Sequence, residues 1–273
     1  MARSSAPACA APSPPTSLGY NALFAAAGAT DGQVRAWGER ALERAVGWAP
    51  HLADEIGGIA AGAGLEPWQV AVVNARTEIL AALDVARPGE CSTSVVLPGD
   101  GLPPRTVQTW DWLGHLRDAP VLWAYEARPG HGVRTFTEAG ALAKIGVNTA
   151  GLGVHFNILR HGADGADPGV PVHLIARRIL DEAATVEEAA DLARSATVSA
   201  STVITAVTMR RGRGDRDLPG GRGRGAARPR RGAAALQPLP RSRAGGGGTA
   251  RRRGARHVRP SASSARPRRG AGR

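Results

Sequence analysis

The chain has 273 residues, 42% of them hydrophobic, and a formal net charge of +12, enough material for one large domain or two small ones. The charge is unevenly placed: residues 1–209 carry a net of −6 and residues 210–273 a net of +18, the latter with 20 Arg, no Lys and 2 Asp. Two cysteines exclude a disulfide framework, the lack of any apolar run of about 18 residues excludes a membrane-spanning helix, and a reducing, cytoplasmic setting is expected.

Residues 1–17, MARSSAPACAAPSPPTS, place Cys9 in a Pro/Ala/Ser-rich stretch whose apolar patch is broken by prolines. This reads as a disordered leader rather than a signal peptide. A helical segment is expected over 18–90. Val34, Trp37, Ala41, Leu42, Ala45, Val46 and Trp48 recur at helical period, with Thr30 and Gln33 as a capping box. LADEIGGIAAGAGL predicts a short helix running into a glycine turn. EPWQVAVVNARTEILAAL predicts a single helix opening at Pro67 and running to Leu83.

After Cys91 the texture becomes β-rich. CSTSVVLP, RTVQTW, PVLWAYEA, GVRTFTEAG, ALAKIGVN and GLGVHFNIL are short runs divided by Gly, Pro or Asp, the spacing of an antiparallel sheet. Two helices follow, VPVHLIARRILDEA and TVEEAADLARSA, the second capped by Thr185 and Glu188. SASTVITAVTM is a further strand. Helices, sheet, helices and strand in that order predict an α+β fold.

An isolated cysteine is most often a small buried hydrophobe. Cys91, however, opens a strand behind Gly89 and Glu90 and ahead of Ser92 and Thr93, inside a wider pattern. NARTEIL, GECSTS, QTWDW, TEAGALAKIGVNTAGLGVHFNIL and GVPVHLIARRIL resemble, in order and spacing, the acyl-coenzyme A:6-aminopenicillanic acid acyltransferase (isopenicillin-N acyltransferase-like) family. The resemblance covers roughly residues 50–209, and its long TEAG block is the specific part.

That resemblance implies an N-terminal nucleophile hydrolase with an αββα sandwich, here over 91–209 and C-terminally incomplete. It also implies an autocatalytic cut between Glu90 and Cys91 that yields two chains from one precursor. Glycine lets the backbone before Cys91 adopt a strained shape in which the thiol reaches the Glu90 carbonyl. The freed α-amine, with an ordinary pKa of about 7.7–8.0, is then a base built into the nucleophile. Asp111 matches the aspartate that orients nucleophile and amine. Ser92 and Thr93 match the hydroxyl pair beside the substrate, and Thr109 stands where the family usually has Asn. Glu138, Lys144, Asn148 and Asn157 are expected to be structural more than catalytic. His115, His131, His161 and His173 lack metal-ligand spacing and are assigned to surface or packing. The implied substrate is a small amide or thioester, with acyl-coenzyme A able to serve as a donor; neither a metal nor a cofactor is called for.

The tail, 210–273, has the Arg/Gly composition of nucleic-acid-binding segments. No aromatic residue follows Met209, so stacking has no platform and only non-specific polyanion binding is expected. Out-of-frame translation explains the composition better. Arg216-Asp217-Leu218-Pro219 can be encoded so that a one-base shift reads Glu-Ile-Ser-Pro, and Leu236–Pro240 so that the same shift reads Ser-Asn-His-Phe. The family carries such motifs beyond this point, the Asn of the second supplying an oxyanion hole. A disordered tail and an impaired activity are the expectations.

Overall fold

The computed structural model describes residues 14–85, 91–98, 102–165 and 167–208, and the backbone of 232–236. Five helices come first: α1 (Pro14–Ala26), α2 (Asp31–Trp48), α3 (Pro50–Ala63), α4 (Pro67–Asn74) and α5 (Arg76–Ala82). The start of α1 falls inside the segment read as a disordered leader, the first correction. Prolines are tolerated in a first helical turn, and Tyr20 and Phe24, both fully buried, anchor the helix to the core. Residues 1–13, Cys9 among them, lie outside the described residues.

The α2 cap is the expected one: Thr30 and Gln33 satisfy each other's backbone N–H groups. α3 ends at Gly64, whose φ of 66° is left-handed, the usual glycine C-cap. Gly38 lets α2 and α4 approach, since a Cβ there would stand 2.5 Å from the Trp68 carbonyl. The helix expected over 67–83 is in fact two, interrupted at Ala75 with φ −97° and ψ 11°. Its cause is polar: Asn74, Arg76, Thr77 and Glu78 are all fully buried, and a continuous amphipathic helix would not aim them at separate partners.

The strands are β1 (Ser92–Val96), β2 (Arg105–Thr109), β3 (Pro120–Arg128), β4 (His131–Glu138), β5 (Ile145–Asn148), β6 (Leu152–Ile158), β7 (Thr202–Thr208) and β8 (Gly232–Leu236). β1 and β2 form an antiparallel hairpin, and β3 to β8 form an antiparallel sheet in chain order. Between β6 and β7 run α6 (Val172–Glu182) and α7 (Val186–Ser195), the latter capped by Thr185 through Glu188 N at 3.1 Å. Val154, Phe156, Ile175, Ile179, Ala189 and Ile204 belong to the core shared by these helices and the sheet. The mixed helix and antiparallel sheet is the α+β class expected. No helix among the described residues is long and apolar enough to cross a membrane.

β8 departs from the tail expected to be structureless. Its run Gly-Ala-Ala-Ala-Leu pairs with β7 from Thr208↔Gly232 to Ile204↔Leu236. Without it β7 would present unpaired backbone groups at the sheet edge, which readily accept another strand. The rest of 210–273 lies outside the described residues, so the expected disorder and shifted motifs do so too, apart from Leu236.

Candidate active site

Cys91 stands immediately before β1 and is half-buried. Its carbonyl accepts from Asn157 Nδ2 at 3.0 Å, and Asn157 Oδ1 accepts from the Thr93 hydroxyl at 2.6 Å. One β6 side chain therefore grips β1 on both sides of Ser92. Period-two alternation puts Cys91 and Thr93 on one face and Ser92 on the other. Gln108 completes the docking of the hairpin: its amide nitrogen donates to the Phe156 carbonyl at 2.6 Å and its oxygen accepts from Phe156 N at 3.0 Å. Thr109 accepts from Ser92 N at 3.2 Å, so it bonds the backbone just after the nucleophile candidate from the position where the family usually has Asn.

The Cys91 thiol points to the Asp111 carbonyl, 3.9 Å away. Both line a cavity of about 710 Å³ together with Leu80, Asp84, Trp112, Ile158 and Arg160, a volume suited to a small molecule. Arg160 pairs with Asp84 at the lining. Asp84 has a φ of 52°, unusual for a residue with a side chain. Ser92 and Thr93 do not line this cavity. Ser92 is exposed, and the Thr93 hydroxyl donates to Asn157. Glu90 and residues 86–89 lie outside the described residues, and with them the junction expected to be cut.

Behind Asp111 lies a buried polar cluster. Arg76 Nη2 and Lys144 Nζ both donate to Glu138 Oε1 at 3.0 Å, and the Tyr20 hydroxyl donates to Glu138 Oε2. Trp112 Nε1 donates to the Tyr20 oxygen at 2.8 Å. Trp110 packs edge-on against Phe136 with centroids 5.2 Å apart. The two neighbours of Asp111 are thus fixed from the core. Burial opposes the charge on Glu138, but Arg76, Lys144 and the hydrogen bonds from Tyr20 and Lys144 outweigh it and hold its pKa below the ordinary carboxylate value. Burial pushes the Tyr20 phenol well above its usual range.

The other members of the motif blocks also find one another. Asn74 Nδ2 donates to the Gly140 carbonyl at 2.9 Å and its Oδ1 accepts from Leu142 N at 2.9 Å. Glu78 accepts from Val172 N, at the start of α6, at 2.9 Å. Asn148 donates to the Leu180 and Ala183 carbonyls at 2.9 and 2.8 Å. For Asn148 and Glu138 the structural part expected of them is what the geometry displays. Asn157 is different, since it contacts Cys91 itself. A lone Asn in a strand carries no periodic signal, so only its place in the motif block could have marked it.

The histidines separate. His131 and His173 are buried, the first bonded to the Leu180 carbonyl at 2.9 Å and the second packed on Phe156 at 4.7 Å between centroids. His115 is exposed, whereas His161 lines the cavity.

Cys91 and Asp111 thus share one cavity, and a Glu-Lys-Arg cluster braces the segment that carries Asp111; comparison with known proteins adds to this geometry. Residues 100–213 match the acyl-coenzyme A:6-aminopenicillanic acid acyl-transferase family. A similar protein is the acyl-coenzyme A:6-aminopenicillanic-acid-acyltransferase 40 kDa form of Emericella nidulans, 32% identical over 140 residues. The alignment covers 50% of this chain and 38% of the relative, so the chain spans well under half the relative's length. The family that the motifs resemble is the one whose model matches residues 100–213. Its match ends at 213, four residues into the Arg/Gly-rich segment that begins at 210.

Proposed function

We propose that the chain is a cysteine N-terminal nucleophile enzyme that transfers or hydrolyses acyl groups of small amides or thioesters, activated by cleavage before Cys91. The observation that carries this reading is the thiol at the head of β1, open to a cavity it shares with Asp111, its carbonyl held by Asn157. In the first stage the Cys91 sulfur adds to the Glu90 carbonyl. The C–N bond then breaks, leaving a thioester and a free Cys91 amine. Water hydrolyses the thioester, releasing Glu90 as a carboxylate and regenerating the thiol.

In the second stage the α-amine takes the thiol proton and the sulfur attacks the substrate carbonyl. The leaving amine or thiol departs with a proton, and the acyl-enzyme passes its acyl group to water or to an acceptor amine. Asp111 orients the amine. The hairpin and the sheet are read as parts of an αββα sandwich. Support comes from Val96, Val107, Leu122 and Val147, large apolar side chains exposed on β1, β2, β3 and β5. The cytoplasm is its proposed setting.

The segment after residue 209 is proposed to be translated out of frame, which removes the oxyanion-hole Asn. Losing one such donor typically costs on the order of 100- to 1000-fold in rate. Intact mass and N-terminal sequencing of the purified full chain test the reading, beside Cys91→Ala and a version with the frame restored after codon 209. The restored chain is expected to yield a fragment beginning at Cys91, the present chain to cut poorly, and Cys91→Ala not to cut. A restored chain that stays whole yet turns over amides would overturn it.

A further inference from the structure

Lys144 is the only lysine in a chain with 34 Arg. It lies between β4 and β5 with 1% of its surface exposed. Its ammonium is 3.6 Å from the centroid of the Trp110 ring and 5.3 Å from that of Trp112, which makes it a buried cation seated on two aromatic faces. Those indoles flank Asp111, whose carbonyl meets the Cys91 thiol. The charged and titratable groups around the ammonium come from three elements: Glu138 on β4, Arg76 on α5, and Tyr20 on α1 acting through Glu138; the Cys91 thiol lies beyond the indoles, at the Asp111 carbonyl. Where almost every other basic position is Arg, a lysine here has a physical reason. A guanidinium stays charged at any working pH, whereas a buried ammonium is compact and can titrate.

We propose that Lys144 is a positioning residue for the Cys91 site: a buried countercharge to Glu138 that holds the Trp110-Asp111-Trp112 segment against the thiol. The proposal rests on reading Cys91 as the nucleophile. Burial pushes the Lys144 ammonium down to about 8; Glu138 pulls it back up, Arg76 pushes it further down, and negative charge on Cys91 pulls it up again. Coupling of this kind is reciprocal, so each partner can report on the other.

The single lysine makes the test direct. The full chain carrying Cys9→Ala, in which Cys91 is the sole thiol, is labelled with 13C at the lysine ε position and gives one lysine signal. That signal is titrated before and after capping Cys91 with iodoacetamide. Capping removes the negative charge that favours the ammonium, so the lysine protonation constant is expected to fall at least ~3-fold, about half a pH unit. In parallel, Lys144→Met, which frees the segment that meets the thiol, is expected to change the alkylation rate of Cys91 at pH 7 by at least ~3-fold while far-UV dichroism stays parental, and Lys144→Arg, which keeps a cation over the indoles, to stay within ~2-fold of the parental rate. An unmoved lysine midpoint, or a folded Lys144→Met with the parental alkylation rate, overturns the proposal. If Lys144→Met does not fold, the lysine titration alone decides. Neither readout needs turnover: coupling without self-cleavage in the restored chain would sink the nucleophile reading and keep the countercharge, and cleavage without coupling would do the reverse.

Discussion

Glu138→Gln keeps the volume of a fully buried side chain but removes the anion that faces both Arg76 and Lys144. All three groups are at most 1% exposed, so water cannot take over the lost charge. Breaking a buried pair by neutralising one partner typically costs about 3–5 kcal/mol, because the other charge is left uncompensated. Two cations share this anion, which puts the upper half of that range in reach. Domains of this size have roughly 5–15 kcal/mol in total, and each kcal/mol moves Tm by roughly 2–4 °C. Glu138→Gln should therefore lower Tm by about 6–20 °C. The chain carrying Glu138→Leu, Arg76→Met and Lys144→Met together should lie within about 2 kcal/mol of the parent, since an apolar replacement of similar volume removes the desolvation cost along with the attraction. Urea unfolding followed by dichroism measures both. A loss below about 1 kcal/mol for Glu138→Gln would show that the cluster does not hold the charges assigned to it. A triple variant worse than Glu138→Gln would show that geometry, and not charge compensation, is what the cluster supplies.

Three further outcomes are expected. Asn157→Ala frees the Cys91 carbonyl and the Thr93 hydroxyl together, and urea titration should show a loss of about 1–3 kcal/mol, with slower self-cleavage in the restored chain. Gly38→Ala drives a Cβ to 2.5 Å from the Trp68 carbonyl and should cost about 1–3 kcal/mol by overpacking the α2–α4 crossing; an unchanged melting curve would refute that close approach. The Lys144 ammonium, near 8 when folded against 10.5 ordinarily, binds its proton more tightly in the unfolded chain. Its contribution to stability is therefore fully present above pH 10.5 and lost as pH falls through 8, about 3 kcal/mol over the window. Lys144→Met should flatten that rise in urea titrations run between pH 7.5 and about 10.

Where local pattern and tertiary demand agree, elements were legible from sequence. α2, α6 and α7 carry an apolar stripe, and α2 and α7 open on the capping residues Thr30 and Thr185. The strands from β1 to β7 are short β-branched runs cut by turn residues, and each stands where the pattern puts it. The misses have specific physical origins. Pro14 and Pro15 in a leader-like composition concealed the start of α1, whose anchors Tyr20 and Phe24 lie further along, inside the segment expected to be helical. EPWQVAVVNARTEILAAL looks like one helix because Asn74, Arg76 and Glu78 are ordinary residues for an exposed helical face. Burying them needs partners at Gly140, Glu138 and Val172, and periodicity says nothing about partners that distant. β8 escaped notice because an alanine run has little strand preference of its own; its pairing comes from the open edge of β7.

The candidate site shows the same division between pattern and partner. Cys91 and Asp111 could be singled out, since a thiol opening a strand and an Asp between two tryptophans are local facts, and the structure brings them to one cavity. Ser92 and Thr93 are told apart only by the fold: alternation leaves Ser92 exposed, while the Thr93 hydroxyl bonds Asn157. NARTEIL and TEAGALAKIG are read as separate blocks along the chain, yet Arg76, Glu138, Lys144 and, through Tyr20, Trp112 form one buried network. Each charge in it is tolerable only because the others are present, so no member can change alone without cost. That interdependence explains why such blocks stand out as motifs although most of their residues never face the cavity. It also explains how Asp111, on an exposed stretch after β2, is held in place: the indoles on either side of it are bound to the same anion, Trp110 through Lys144 and Trp112 through Tyr20.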